Sequence, residues 1–171
     1  MEIKSKPTVY DGYEFRSRIE ARWAVFFDAM GIKYHYEYQD FILPDGTRYL
    51  PDFFLPGYGY AEVKPDGGFT DEAKKKCEQL CLLIKENILM LEGVPDFRSF
   101  QFYGCDYDPA ECGTLEGVIF GHGKYSGRIY TYPEWTDKDG FFKDEDVMDS
   151  TFNDAVYKSR AAKFEFNYNT H

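Results

Sequence analysis

The sequence predicts a single α/β domain of the α+β kind, built as helix, three-strand meander, helix and strand. Three observations predict it. Residues 14–30 carry apolar side chains at helical spacing, residues 33–64 hold three short β-type runs parted by turn residues, and residues 88–92 form a continuous apolar run behind a capped helix. The first pattern needs a surface to pack on, the second makes a sheet, and the third fits a strand buried on both faces. Together they close one core.

In EFRSRIEARWAVFFDAM, Phe15, Ile19, Trp23, Phe26, Phe27 and Met30 fall on one helical face, and Gly31 suits a helix stop. At roughly 100° per residue, Glu20 lies beside Phe27 at one edge of that stripe. Arg16 is its neighbour one turn earlier, whereas Arg18 and Arg22 lie toward the opposite edge. Residues 33–43, 47–55 and 60–64 read as three strands. Pro44-Asp45-Gly46 and Pro56-Gly57-Tyr58-Gly59 are the turns between them, and Pro51 marks an edge or a distortion in the second strand. Thr70 is an N-cap, Asp71 and Glu72 favour a first helical turn, and Ala73, Cys77, Leu80, Cys81 and Ile84 mark an inner face. ILMLE at 88–92 then reads as a buried strand reached through a helical crossover.

Further strands are expected at 97–103, 115–120 and 125–132, with loops at Asp106–Cys112 and Asp137–Gly140. A C-terminal helix over 144–164 carries Lys158, Arg160 and Lys163, and these cations are expected on the same side as the site. The chain thus reads as one domain, 1–171, with a core at about 13–103, an acidic strand and loop elaboration at about 104–143, and the helix after it.

Composition narrows the class. Apolar residues make up 43% and aromatic residues 19% of 171 positions, enough for a core and against disorder. No apolar stretch approaches the roughly 18 residues of a membrane span, and MEIKSKPTVYDGYEF lacks the apolar block of a signal peptide. A cytoplasmic protein away from membranes is the expectation. Cys77 and Cys81 read as small core residues, and Cys105 and Cys112 complete no zinc spacing. His35, His122 and His171 are scattered and form no ligand cluster.

The net charge of −10 argues at first against a nucleic-acid partner, because phosphate attracts Lys and Arg. Its distribution softens the objection. Residues 1–35 hold six basic and five acidic side chains, residues 106–154 hold twelve acidic and four basic, and the last 17 residues return to +2. A neutral or basic face can therefore exist away from the acidic segment.

The chemistry lies in an arrangement rather than a motif. Glu-x-Lys occurs three times and Pro-Asp four times, so neither says anything alone. Glu62 and Lys64, two apart on a strand, project from one face. A tight connection after Leu55 brings Asp52 beside Glu62, and the first helix, packed across the same sheet, brings Glu20 toward them. Paired carboxylates suit a hard cation such as Mg²⁺ or Mn²⁺, with the backbone carbonyl of Val63 as a further oxygen. A cation there polarises a phosphodiester, and a lysine steadies the charge that develops.

Asp52…Glu62-Val63-Lys64, with Glu20 on a preceding helix, resembles the PD-(D/E)XK nuclease superfamily. The order helix, three-strand meander, helix, strand is similar to that superfamily's restriction-endonuclease-like core. RSRIEARWAVFFDAMGI, YLPDFFLP, AEVK and ILMLEGVP resemble a phage and bacterial group within it, over roughly residues 13–95, and SRAAKFEF extends the likeness more loosely. The resemblance implies Asp52 and Glu62 as metal ligands, Lys64 as the catalytic cation and Glu20 as an accessory ligand. It also offers Gln79 as an accessory side chain. It implies Mg²⁺ or Mn²⁺ as cofactor, DNA as substrate, and a bacterial cell or phage-infected host as the setting.

Bland readings stand beside these. Glu20 can pair with Arg16 on a solvated face, Glu62 and Lys64 can be an exposed strand pair, Asp52 can be a turn residue, and Lys74, Lys75 and Lys76 can be a solvated helix face. Two other functions stay open. One is a structure-specific or transposon-end endonuclease. The other is a catalytically silent nuclease-like module, its acidic 106–154 segment engaging a basic protein or a second copy of the chain.

Overall fold

The computed structural model describes residues 7–96, 100–104, 114–121, 128–131 and 150–164. Among them the chain is a mixed α+β fold with a mixed sheet and three helices. Strands β1 (Thr8–Tyr10) and β2 (Tyr13–Phe15) form a hairpin in the register Thr8↔Phe15. Asp11 and Gly12 both take positive φ in its turn, as the two-residue Asp-Gly hairpin turn requires.

Helix α1 (Arg18–Met30) starts four residues later than the apolar spacing predicts. The cause is local. Ser17 is extended, and its hydroxyl accepts the Glu20 backbone N–H at 3.3 Å. That cap ends the preceding strand, so Phe15 joins the core from β2 rather than from the helix. At the other end Gly31 is left-handed at φ 71°, and its N–H returns to Asp28 O.

The next segment departs most from expectation. The two runs at 33–43 and 47–55 each break in two, giving β3 (His35–Tyr36), β4 (Phe41–Ile42), β5 (Arg48–Tyr49) and β6 (Phe53–Leu55). β4 and β5 pair only with each other, as a separate hairpin around Pro44-Asp45-Gly46. Glu37, at φ 47°, turns the chain away after β3, and Pro51 offers no N–H to continue a ladder from β5 into β6. The meander itself holds: β3 pairs antiparallel with β6, and β6 with β7 (Gly59–Lys64). Gly59 admits no side chain, since a Cβ there would stand 2.1 Å from Asn87 O.

Thr70 caps helix α2 (Asp71–Ile84), which crosses over to β8 (Ile88–Glu92), the parallel neighbour of β7. Strands β9 (Phe100–Gly104), β10 (Thr114–Gly121) and β11 (Arg128–Thr131) follow, all antiparallel, and complete the order β11-β10-β9-β8-β7-β6-β3. Helix α3 (Ser150–Ala161) ends the described chain. The expected loops at Asp106–Cys112 and Asp137–Gly140, residues 144–149 of the expected helix, Cys105, Cys112, His122 and His171 lie outside the described residues, as does most of the acidic segment.

The sheet lies between two apolar layers. On one face Phe53, Ala61, Val63, Leu89 and Leu91 meet α1 and α3 through Trp23, Phe26, Phe27, Phe152 and Val156. On the other, Tyr60, Ile88 and Met90 meet Cys77, Leu80 and Cys81 of α2. Both cysteines are free and fully buried, as their spacing predicts. Trp23 satisfies its indole N–H on Gly93 O at 2.9 Å. Alternation along β7 follows: Ala61 and Val63 face α1, so Glu62 and Lys64 face the α2 side. Among the described residues no helix is long and apolar enough to cross a membrane.

Candidate functional site

Asp52 stands directly before β6. The register Phe53↔Ala61 makes Glu62 its opposite number on β7. Asp52 reaches across to accept the Val63 backbone N–H on Oδ2 at 2.7 Å. On the same face of β7 the Lys64 ammonium donates to Glu62 Oε1. Glu20 comes from the first turn of α1, and all four residues line one cavity of about 780 Å³ together with Val63. Asp52, Glu62 and Glu20 are 3%, 6% and 7% exposed, so three acids are buried around one opening.

Each acid oxygen has a partner. Glu62 Oε2 accepts the Tyr49 hydroxyl at 2.9 Å. Asp52 Oδ1 accepts the Arg16 guanidinium at 2.6 Å. Glu20 Oε1 accepts Ser17 Oγ at 2.6 Å, and its Oε2 accepts the Tyr36 hydroxyl at 2.6 Å and the Arg16 backbone N–H at 3.2 Å. Ser17 and Glu20 thus cap α1 reciprocally, a variant of the capping box. The alternative Arg16–Glu20 pairing is made by the Arg16 backbone, with Glu20 buried rather than on a solvated face. The Arg16 side chain passes on to Asp52 and to Glu37 Oε1 at 2.7 Å.

The electrostatics follow from this crowding. Burial raises the Asp52 carboxyl well above its ordinary value, and the neighbouring charges of Glu62 and Glu20 raise it further. Burial opposes the Lys64 charge, but Glu62 and Asp52 outweigh it and hold Lys64 above the ordinary lysine value. Lys64 is therefore a cation at neutral pH, not a proton acceptor. Burial and Glu62 push the Tyr49 hydroxyl up, so it stays a neutral donor. Burial pushes the Cys77 thiol, 3.5 Å from that hydroxyl, up to about 12 and leaves it inert.

The donor set suits a hard dication. It consists of oxygen alone, with three buried carboxyl groups around one opening, and a cation offsets the repulsion among such groups. Among the described residues no three His, Cys, Asp or Glu side chains stand together as a ready metal cage. Lys64 engages Glu62 and Arg16 engages Asp52.

The remaining expected residues fall outside the cavity or at its wall. Gln79 does not line it, and its amide donates to Asp45 Oδ2 at 3.3 Å. Of the three successive lysines on α2, Lys76 lines the cavity and pairs with Glu72 at 3.2 Å. Lys158, Arg160 and Lys163 do not line it, and Arg160 pairs with Asp96 at 3.0 Å. Spacing alone does not single out Arg16, Tyr36 and Tyr49 as site residues. A signal for Ser17 was present, since Ser-x-x-Glu before an apolar run is a helix-start signature. No family model matches the chain, and no curated protein matches it.

Proposed function

We propose that the chain is a metal-dependent nuclease that hydrolyses phosphodiester bonds in DNA. The observation that carries this reading is the convergence of Lys64 and the buried acids Asp52, Glu62 and Glu20 in one cavity. The order α1, meander, α2, β8 supports reading the core as restriction-endonuclease-like.

Asp52, Glu62 and the Val63 carbonyl, with Glu20 as accessory, would hold Mg²⁺ or Mn²⁺. When bound, such a cation supplies the Lewis acidity that polarises a phosphodiester and lowers the pKa of water. The chain's own residues do the rest. The Val63 N–H and the Tyr49 hydroxyl orient the Asp52 and Glu62 carboxylates. Lys64, tethered beside Glu62, offers a fixed positive charge to the pentavalent phosphate as it forms. Apolar contacts of the two sheet layers keep these groups rigid, which such electrostatic work needs.

One observation favours a second reading, a nuclease-like module without catalysis. Every carboxylate oxygen of the site already has a partner within the protein. Titration with Mn²⁺ separates the two. A nuclease binds Mn²⁺ and loses that binding with Asp52→Asn, whereas a silent module takes up none.

A further inference from the structure

We propose that Arg16 is a built-in counter-cation of Asp52: a divalent cation that enters displaces its Nη2 from Asp52, and that nitrogen then takes a phosphate oxygen of the nucleic-acid backbone while Nε stays on Glu37. The inference rests on the nuclease reading and assigns a role to a residue which that reading leaves unused.

Arg16 lies directly before the cap of α1, and its backbone is pinned. Its N–H donates to the Tyr36 hydroxyl at 2.9 Å and to Glu20 Oε2 at 3.2 Å. The side chain is a different matter. It is 53% exposed, yet its tip reaches a carboxylate that is 4% exposed. Nε pairs with Glu37 Oε1 at 2.7 Å, so Nη2 can leave Asp52 while Glu37 keeps the arm beside the cavity and the helix stays undisturbed. Asp52 Oδ2 is held by the Val63 N–H, and Oδ1 is the oxygen Arg16 occupies. A cation that ligates Asp52 through Oδ1 therefore takes the place of the guanidinium.

Charge sets the order of events. Arg16, Arg48, Lys64 and Lys76 line the cavity against Glu20, Asp52, Glu62 and Glu72, four charges of each sign. A polyanion meets no net attraction there. One dication changes the balance to +2 and frees the Nη2 end of a guanidinium, a donor suited to phosphate. Of the other lining cations, Arg48 pairs with Asp40 and Lys76 with Glu72, neither of them a proposed ligand, and Lys64 stays beside Glu62 as the fixed cation of the site. The cation then binds before the nucleic acid, and Arg16 couples the two events.

The test is Mn²⁺ affinity without DNA, by electron paramagnetic resonance of free Mn²⁺, beside the affinity for a short fluorescent DNA duplex in Ca²⁺. Parent, Arg16→Gln and Arg16→Lys are compared, with folding checked by circular dichroism. Arg16→Gln should bind Mn²⁺ on the order of tenfold more tightly, as expected when an opposing charge leaves a carboxylate. It should bind the duplex more weakly, with a salt slope smaller by about one. Arg16→Lys keeps the charge without the guanidinium fork and should fall between. A folded Arg16→Gln whose Mn²⁺ affinity is unchanged or weaker overturns the proposal, and unchanged duplex binding overturns its phosphate half. Mn²⁺ binding by the variant but not by the parent supports it. If neither binds Mn²⁺, the nuclease reading falls and this proposal with it.

Discussion

Asp52 and Val63 are joined across the β6–β7 pair: the Asp52 carboxylate accepts the Val63 backbone N–H at 2.7 Å. This bond ties an acid from outside the strand to the ladder that carries Glu62 and Lys64. Asp52 is thereby tied to the sheet, and single substitutions in the site should act on chemistry more than on architecture.

Asp52→Asn tests the charge apart from the shape. The amide oxygen can still accept the Val63 N–H, while one buried negative charge is gone. Mn²⁺ affinity should fall at least tenfold, as expected when a coordinating carboxylate is lost. Thermal stability without metal should hold or rise, because burial, Glu62 and Glu20 already disfavour the Asp52 charge. Calorimetric titration and a melting curve on the same sample measure both.

Lys64→Ala should show the reverse pattern. Metal binding stays or tightens, since an ammonium ligates nothing and its charge leaves Glu62, and cleavage falls by roughly a hundredfold or more. The pH dependence has a definite sign. Lys64 acts as a cation, and that state is lost only as pH rises through its folded pKa, which lies above the ordinary 10.5. The cleavage rate should show no alkaline decline from this group below that pH.

Gly68→Ala probes positioning. A Cβ at Gly68 would stand 2.8 Å from Lys64 Cβ and 2.8 Å from Pro65 O. The Lys64 stem must shift or the turn must give. Cleavage should drop while Mn²⁺ affinity stays near that of the parent, a split read from rates and titration in parallel.

Ser17→Ala removes the α1 cap and the Oε1 partner of Glu20. Loss of such a cap costs about 1 kcal/mol, and in a domain of this size the melting temperature should fall by roughly 2–4 °C. If Glu20 is an accessory ligand, the Mn²⁺ affinity of this variant weakens as well. A melting shift alone would leave Glu20 as a cap and nothing more.

Several parts of this architecture were legible from local chemistry. Thr70, Asp71 and Glu72 mark the start of α2, and the run at Ile88–Glu92 is a strand because a parallel neighbour is apolar on both faces. The meeting of Asp52 with Glu62 followed from the period-two rule and a turn after Leu55. What escaped was tertiary. Phe15 satisfies the helical period of α1 but sits in β2, because a core accepts an apolar ring from either element. The β4–β5 hairpin lies inside runs rich in Tyr and Phe that read as unbroken strands. Arg16 lies four residues before Glu20, so proximity pointed to that pair, whereas the fold carries its guanidinium to Asp52, 36 residues away. Tyr36 and Tyr49 are two of 15 tyrosines, and only the fold shows which hydroxyls meet an acid.

The most direct measurement of the central claim is cleavage of linear, circular, single-stranded and branched DNA by the parent protein in Mg²⁺ or Mn²⁺, with Asp52→Ala beside it. The nuclease account predicts that the parent converts at least one of these substrates, that chelation stops it, and that Asp52→Ala does not cut. Intact DNA on every substrate with either metal, or equal cutting by parent and Asp52→Ala, would contradict it.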